Sequence, residues 1–242
     1  MNLKKYIVSI FILFLAYCVQ GQSLIPRSSN ASIIKKTYYT LCYNENNRQA
    51  DWVYYELTYP MINGIAKRKN NFRVDKSIKN GASTPKDYLR SGYDRGHLCP
   101  AAAMKQNSLA MSETFYMSNM SPQKPYFNRG VWKKLEAKVR SWVHKGSSLY
   151  VVTGPIFRDN LGSIGKNKVT IPGYFYKVIY DPLHKKMIAF VLRNKKSELS
   201  LKYFVTTVDK IEKLTNIDFF PELDDKLENK LESKVSLLGW KL

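Results

Sequence analysis

Histidine is scarce in this chain: 242 residues contain three, His97, His144 and His184. Acidic residues are scarce too, 19 against 39 Lys and Arg, for a formal charge of +20. A positive excess of this kind concentrates polyanions at the surface and speeds their capture. It weighs against an acidic small molecule as substrate and favours a polymer. Charge alone leaves nucleic acid and anionic lipid both open. The one long apolar run, Tyr6 to Ala16, is shorter than the ~20 residues of a membrane-spanning helix. No repeat recurs and no linker divides the chain, which reads as one large domain. An apolar content of 44% supplies a core and excludes global disorder.

The amino end has the pattern of an export signal. Lys4 and Lys5 precede the apolar run, and Val19 and Gly21 suit a cut after Gly21. A retained anchor is the alternative; a faint lipoprotein pattern ending at Cys18 is spoiled by Tyr17. The expected division is a signal peptide at 1–21, a flexible leader at 22–34 and a domain at 35–242. The protein is then secreted or periplasmic, with no membrane role after cleavage. Losing Lys4 and Lys5 lowers the charge to +18. Cys42 and Cys99 remain, and because export permits disulfides, a Cys42–Cys99 bridge is expected, with two buried thiols as the alternative.

Local patterns predict strands over Lys36 to Tyr43 and Trp52 to Tyr59, paired antiparallel around a polar turn at 44–48. Residues 62–92 read as loop. A short strand, Phe115 to Met120, carries Asn119 at its end, before the breaker Ser121-Pro122-Gln123-Lys124-Pro125. A helix follows from Asn128 or Arg129 to about Lys145, with Val131, Leu135, Val139 and Trp142 on one face. Leu149 to Ile156, Gly173 to Asp181 and Lys186 to Leu192 are strands, with a hairpin connection at 181–184. Helices are predicted near 208–214 and 222–236. Strands and helices cluster separately, so the fold class is α+β.

The chemistry concentrates in Asp94-Arg95-Gly96-His97. A neutral imidazole takes a proton from water near neutral pH, and an adjacent Arg grips phosphate with a forked pair of hydrogen bonds. Downstream lie Asn119, Asn128, Glu136 and Arg140. Hydrolysing a phosphodiester needs a base for water, a cation for the developing charge, and donors on the other oxygens. Mg2+ prefers oxygen ligands and keeps several waters, so one amide oxygen suffices as its direct protein ligand. Each residue also has a plain reading: Asn128 as a helix cap, Glu136 and Arg140 as a surface ion pair, Asn119 as a strand end. Their joint order and spacing carry the case.

Taken together, Asp94-Arg95-Gly96-His97, Tyr116-Met-Ser-Asn-Met-Ser-Pro-Gln123, Asn128-Arg-Gly-Val-Trp132 and Leu135-Glu136 resemble the DNA/RNA non-specific endonuclease family, of the ββα-metal or His-Me finger superfamily. The motifs span 91–140, with weaker likeness from Tyr38 to Phe220. The resemblance implies a central, mainly antiparallel sheet and a ββα-metal finger carrying the site. It implies His97 as general base, Asn128 as ligand of Mg2+ (with Mn2+ as substitute), Glu136 holding the metal's waters, Arg95 and Arg140 on phosphate, and Asn119 as a supporting residue. The partner is DNA or RNA, held through phosphate, and the products carry 5′ phosphate. One departure is Ala103, where the family often has an acid. His144 and His184 match no family position and are expected at the surface. A competing reading is a secreted nucleic-acid-binding protein without catalysis, supported by the charge and by tyrosines that stack on bases.

Overall fold

The structure, a computed structural model, describes residues 24–29 and 32–242. The expected signal peptide lies outside the described residues. Chain order runs β1 (Arg27–Ser28), β2 (Ile33–Lys35), β3 (Thr40–Asn44), β4 (Gln49–Thr58), α1 (Tyr59–Asn63), β5 (Asp94–His97), α2 (Ser108–Glu113), β6 (Met120–Gln123), α3 (Lys133–Ser141) and β7 (Ser148–Ile156). It continues with β8 (Ser163–Ile164), β9 (Val169–Thr170), β10 (Tyr174–Asp181), β11 (Lys186–Arg193), β12 (Val205–Thr206), α4 (Val208–Thr215), β13 (Ile217–Asp218) and α5 (Asp225–Glu232).

The core is a seven-stranded sheet in the order β12-β11-β10-β7-β4-β3-β2, with every pairing antiparallel. The α+β class and the central antiparallel sheet are therefore as the sequence implied. Period-two alternation divides the side chains between two cores. Val53, Tyr55, Val151, Phe175 and Ile179 face one way and bury Val131, Leu135 and Val139. Trp52, Val152, Tyr176 and Val178 face the other way and bury Val208, Ile211, Phe219 and Phe220. Burying each large apolar side chain contributes roughly 1.5–3 kcal/mol, so the two layers clamp the sheet from both sides.

Several sequence expectations need correction. Part of the stretch read as a leader is paired: Arg27–Ser28 with Ile217–Asp218, and Ile33–Lys35 with Thr40–Cys42. Alternating burial in these short edges was too weak to show in composition. The first predicted strand starts only at Thr40, since residues 36–39 are the turn of a hairpin with β2, in which the Lys36 N–H donates to the Tyr39 carbonyl at 2.8 Å. The strand expected over 115–120 begins instead at Met120 and runs through Pro122. Its ribbon has two strands only, so Pro122 sits on an edge where a missing N–H is tolerated. The helix expected from Asn128 starts as an irregular turn, Phe127–Trp132, in which Gly130 leaves helical geometry at φ −102° and ψ −110°. The carboxyl-terminal helix is shorter than expected: it starts after Asp224, which caps it by accepting the N–H groups of Lys226 and Leu227, and it ends at Glu232.

The Cys42–Cys99 bridge is also corrected. Cys42 belongs to one core and Cys99 to the other, and no disulfide joins them. The sheet stands between the two sulfurs.

Candidate active site

The ribbon β5–β6 lies apart from the main sheet and pairs Asp94 with Gln123, Arg95 with Pro122, Gly96 with Ser121 and His97 with Met120. Gly96 is needed there by close approach: a Cβ would stand 2.2 Å from the Gln123 side chain. The irregular turn and α3 follow the ribbon, completing a strand-strand-helix finger. Between finger and loop lies a cleft of about 710 Å³. His97, Arg95, Asn128, Glu136 and Arg140 all line it. The sequence grouping thus corresponds to one place in the molecule.

Asn119 is the exception among the expected residues. It is fully buried and does not line the cleft. Its Oδ1 accepts the Cys99 N–H at 2.8 Å, and its Nδ2 donates to the carbonyls of Cys99 and Thr114, each at 2.9 Å. It braces the chain just past His97, a supporting role. Ala103 is buried in the core and likewise does not line the cleft. His144 and His184 are exposed, as expected, and His184 bonds Asp181 at 2.8 Å.

His97 is buried against the edges of Phe72 and Phe115, with ring centroids at 5.8 and 5.0 Å. Its Nε2 is buried and has no hydrogen-bond partner. Burial first, and then the positive Arg68, push its pKa down to about 3; a hydrogen bond with the Arg95 backbone offsets a part. Since Nε2 is unpartnered, Nδ1 is the nitrogen left for that bond. The imidazole is therefore neutral at ordinary pH, with Nε2 open to accept a proton.

The plain readings of Asn128, Glu136 and Arg140 do not hold. Asn128 caps nothing with its side chain; its Nδ2 donates to Asp94 Oδ2 at 2.9 Å. A carboxylate can only accept, so Asp94 holds the amide by its nitrogen, and Oδ1 is the atom of this amide that could serve a cation. Among the described residues no ion pair joins Glu136 to Arg140. Arg140 Nη1 and Arg95 Nε are buried donors with no protein partner. A hard divalent cation fits this donor set: one oriented amide oxygen, one nearby carboxylate, and room for water.

Three contributors have no role assigned by the sequence. Asp94 holds Asn128 and also takes a forked pair from Arg129, at 2.8 and 2.6 Å. Phe72 supports both His97 and the Arg95 guanidinium, which stacks 5.0 Å from its ring. Lys177 is 1% exposed and hydrogen-bonds Thr153 on the neighbouring strand. Burial pushes the Lys177 ammonium down and the Glu136 carboxyl up, while their mutual attraction opposes both shifts. The signal for Lys177 was present, a lysine at an inward position of the apolar strand 174–181.

The cleft is strongly positive. Arg68, Arg90, Arg95, Arg129, Lys133 and Arg140 line it against Asp94 and Glu136. Such a surface suits an anionic chain.

Comparison with known proteins agrees. Residues 22–226 match the family described as DNA/RNA non-specific endonuclease. A nuclease of Nostoc sp. is 35% identical over 218 residues, covering 84% of this chain and 78% of the relative. Mitochondrial endonuclease G of Homo sapiens is 32% identical over 210 residues, covering 80% and 71%. A chain in the crystal structure of the EndoG/EndoGI complex superposes with a TM-score of 0.75 at 32% identity, covering 81% of this chain and 88% of its own length. With a match this long and relatives above 30% identity across most of both chains, the protein belongs to the DNA/RNA non-specific endonuclease family and is a nuclease.

Proposed function

We propose that this nuclease is exported, to the periplasm or the medium, and depends on Mg2+ or its substitute Mn2+. It cleaves DNA or RNA without sequence preference and leaves 5′ phosphate. The observation that carries the reading is the convergence of unpartnered groups on one cleft: His97 Nε2, Arg95 Nε and Arg140 Nη1. Each is buried, polar and without a protein partner, a costly condition that an anionic substrate and its water relieve.

In this mechanism Arg95 and Arg140 hold non-bridging phosphate oxygens and fix the phosphorus relative to His97. His97 Nε2 takes a proton from water as the water oxygen bonds to phosphorus. The bond from phosphorus to the 3′ oxygen breaks, and that oxygen leaves to be protonated. Asn128 would hold the metal directly and Glu136 would hold its waters; when bound, the metal supplies positive charge to the phosphate and the leaving oxygen. Contacts to phosphate rather than base edges make cleavage indifferent to sequence. The intact grouping of base, ligand oxygen and carboxylate weighs against the non-catalytic binder.

Plasmid nicking, with and without EDTA, tests the reading on the native chain and on His97→Ala. EDTA should abolish nicking. His97→Ala should lose roughly 100- to 10,000-fold in rate and keep DNA binding. Native rates in either arm refute the proposal.

A further inference from the structure

We propose that Asp209, Glu212 and Glu232 form a second divalent-cation site, suited to Ca2+, on the face of the sheet opposite the cleft. Asp209 and Glu212 lie one turn apart on α4, and Glu232 ends α5. One carboxylate oxygen from each lies within 4.8 Å of the others. Ca2+ takes oxygen ligands at ~2.3–2.6 Å, so oxygens this close reach one ion with little movement. None of the three lines the cleft.

A separate observation points to a ligand. Glu232 is 6% exposed, yet its Oε1 has no hydrogen-bond partner. Three other buried acids among the described residues are satisfied. Asp75 receives Lys36, Ser77 and Ser118, and Asp87 receives Thr84 and Asn167. Glu113 receives the N–H and hydroxyl of Thr37. A buried carboxylate oxygen without a donor is costly. Glu228 adds a second such oxygen one turn earlier on α5.

The charge pattern agrees. Among the described residues, none of the three carboxylates is ion-paired, although the chain carries 39 Lys and Arg. Burial, and then the like charges of Glu212, Glu228, Asp209 and Asp218, push Glu232 up to about 9. Such a group takes either a proton or a cation. Glu212 uses Oε1 on the Phe219 N–H and leaves Oε2 for an ion. Asp209 is half-buried, which leaves room for the waters that complete a Ca2+ shell. An ion here would tie α5 to α4.

The test titrates Ca2+ alone, by calorimetry in mildly alkaline buffer, into the full chain carrying Asn128→Ala, which lacks the proposed oxygen ligand in the cleft. One bound Ca2+ is expected, together with an unfolding midpoint that rises with Ca2+. Adding Glu232→Gln should weaken binding about tenfold or more, and so should Asp209→Asn, a milder change at a half-buried position. In the otherwise native chain, Asp209→Asn should retain nuclease activity in Mg2+. Absence of both heat and midpoint shift overturns the site and assigns Glu232 a proton. Binding that survives unchanged in the Asp209→Asn protein also overturns it.

Discussion

Asn128 and Asp94 are joined across the finger, amide nitrogen to carboxylate oxygen, at 2.9 Å. The bond settles which end of the amide is available, and it makes the first residue of the Asp-Arg-Gly-His stretch an orienting group. Asp94→Ala should therefore raise the Mg2+ concentration for half-maximal activity, by roughly 10- to 100-fold. Arg129→Ala, which removes only the exposed partner of the same carboxylate, should shift it much less. A metal titration of cleavage rate checks both, and an unchanged Asp94→Ala curve would show that Asn128 needs no anchor.

Acid stability should report the buried imidazole. Unfolded histidine titrates near ~6.5, whereas in the fold burial and Arg68 hold His97 down to about 3. Between those values the unfolded chain binds a proton that the folded chain refuses, so stability falls as pH falls, by up to ~1.4 kcal/mol per pH unit. Above the unfolded value both states are neutral and the effect vanishes. His97→Gln should lose stability less steeply over that window in urea melts. Parallel curves would mean that His97 protonates freely in the fold.

Lys177 should act on activity through Glu136. Without the ammonium, burial of the carboxyl is less opposed and its pKa rises further. Lys177→Met should therefore move the acid limb of kcat/KM to higher pH, and Lys177→Arg should restore much of it. A folded Lys177→Met protein with an unshifted pH profile would reduce Lys177 to a packing residue.

Binding should be steeply salt-dependent. Each phosphate neutralised contributes a slope of about −0.9 in log affinity against log salt on duplex DNA. With six basic residues along the cleft, a combined slope of several is expected for the His97→Ala protein. Unrelated duplexes should give superimposable lines. A flat response, or one favoured duplex, would contradict phosphate-directed binding.

What could be read in the sequence was local. Long strands such as 174–181 and 186–193 announce themselves as nearly continuous apolar runs, and the motif residues His97, Asn128 and Glu136 by type and order. What escaped depends on distant partners. Pro122 looked like a terminator because its ribbon's edge position was invisible. Asp94 carries no role of its own in the sequence because its partners lie 34 and 35 residues on. The disulfide was expected because parity says nothing about faces. Glu232 lies in a helix whose charged surface hides one inward carboxylate.

Tyr176 and Lys177 are neighbours that serve opposite faces of one strand. The tyrosine hydroxyl donates to the Asp51 carbonyl on one side, and the ammonium reaches Thr153 on the other. If β10 slipped by one residue during folding, the ammonium would enter the apolar layer of Trp52 and Phe219, and an aromatic ring would lie beneath Glu136. An unpaired buried charge is among the most costly errors a core can make. The lysine that supports the carboxylate thus also proofreads the pairing of the strand that carries it.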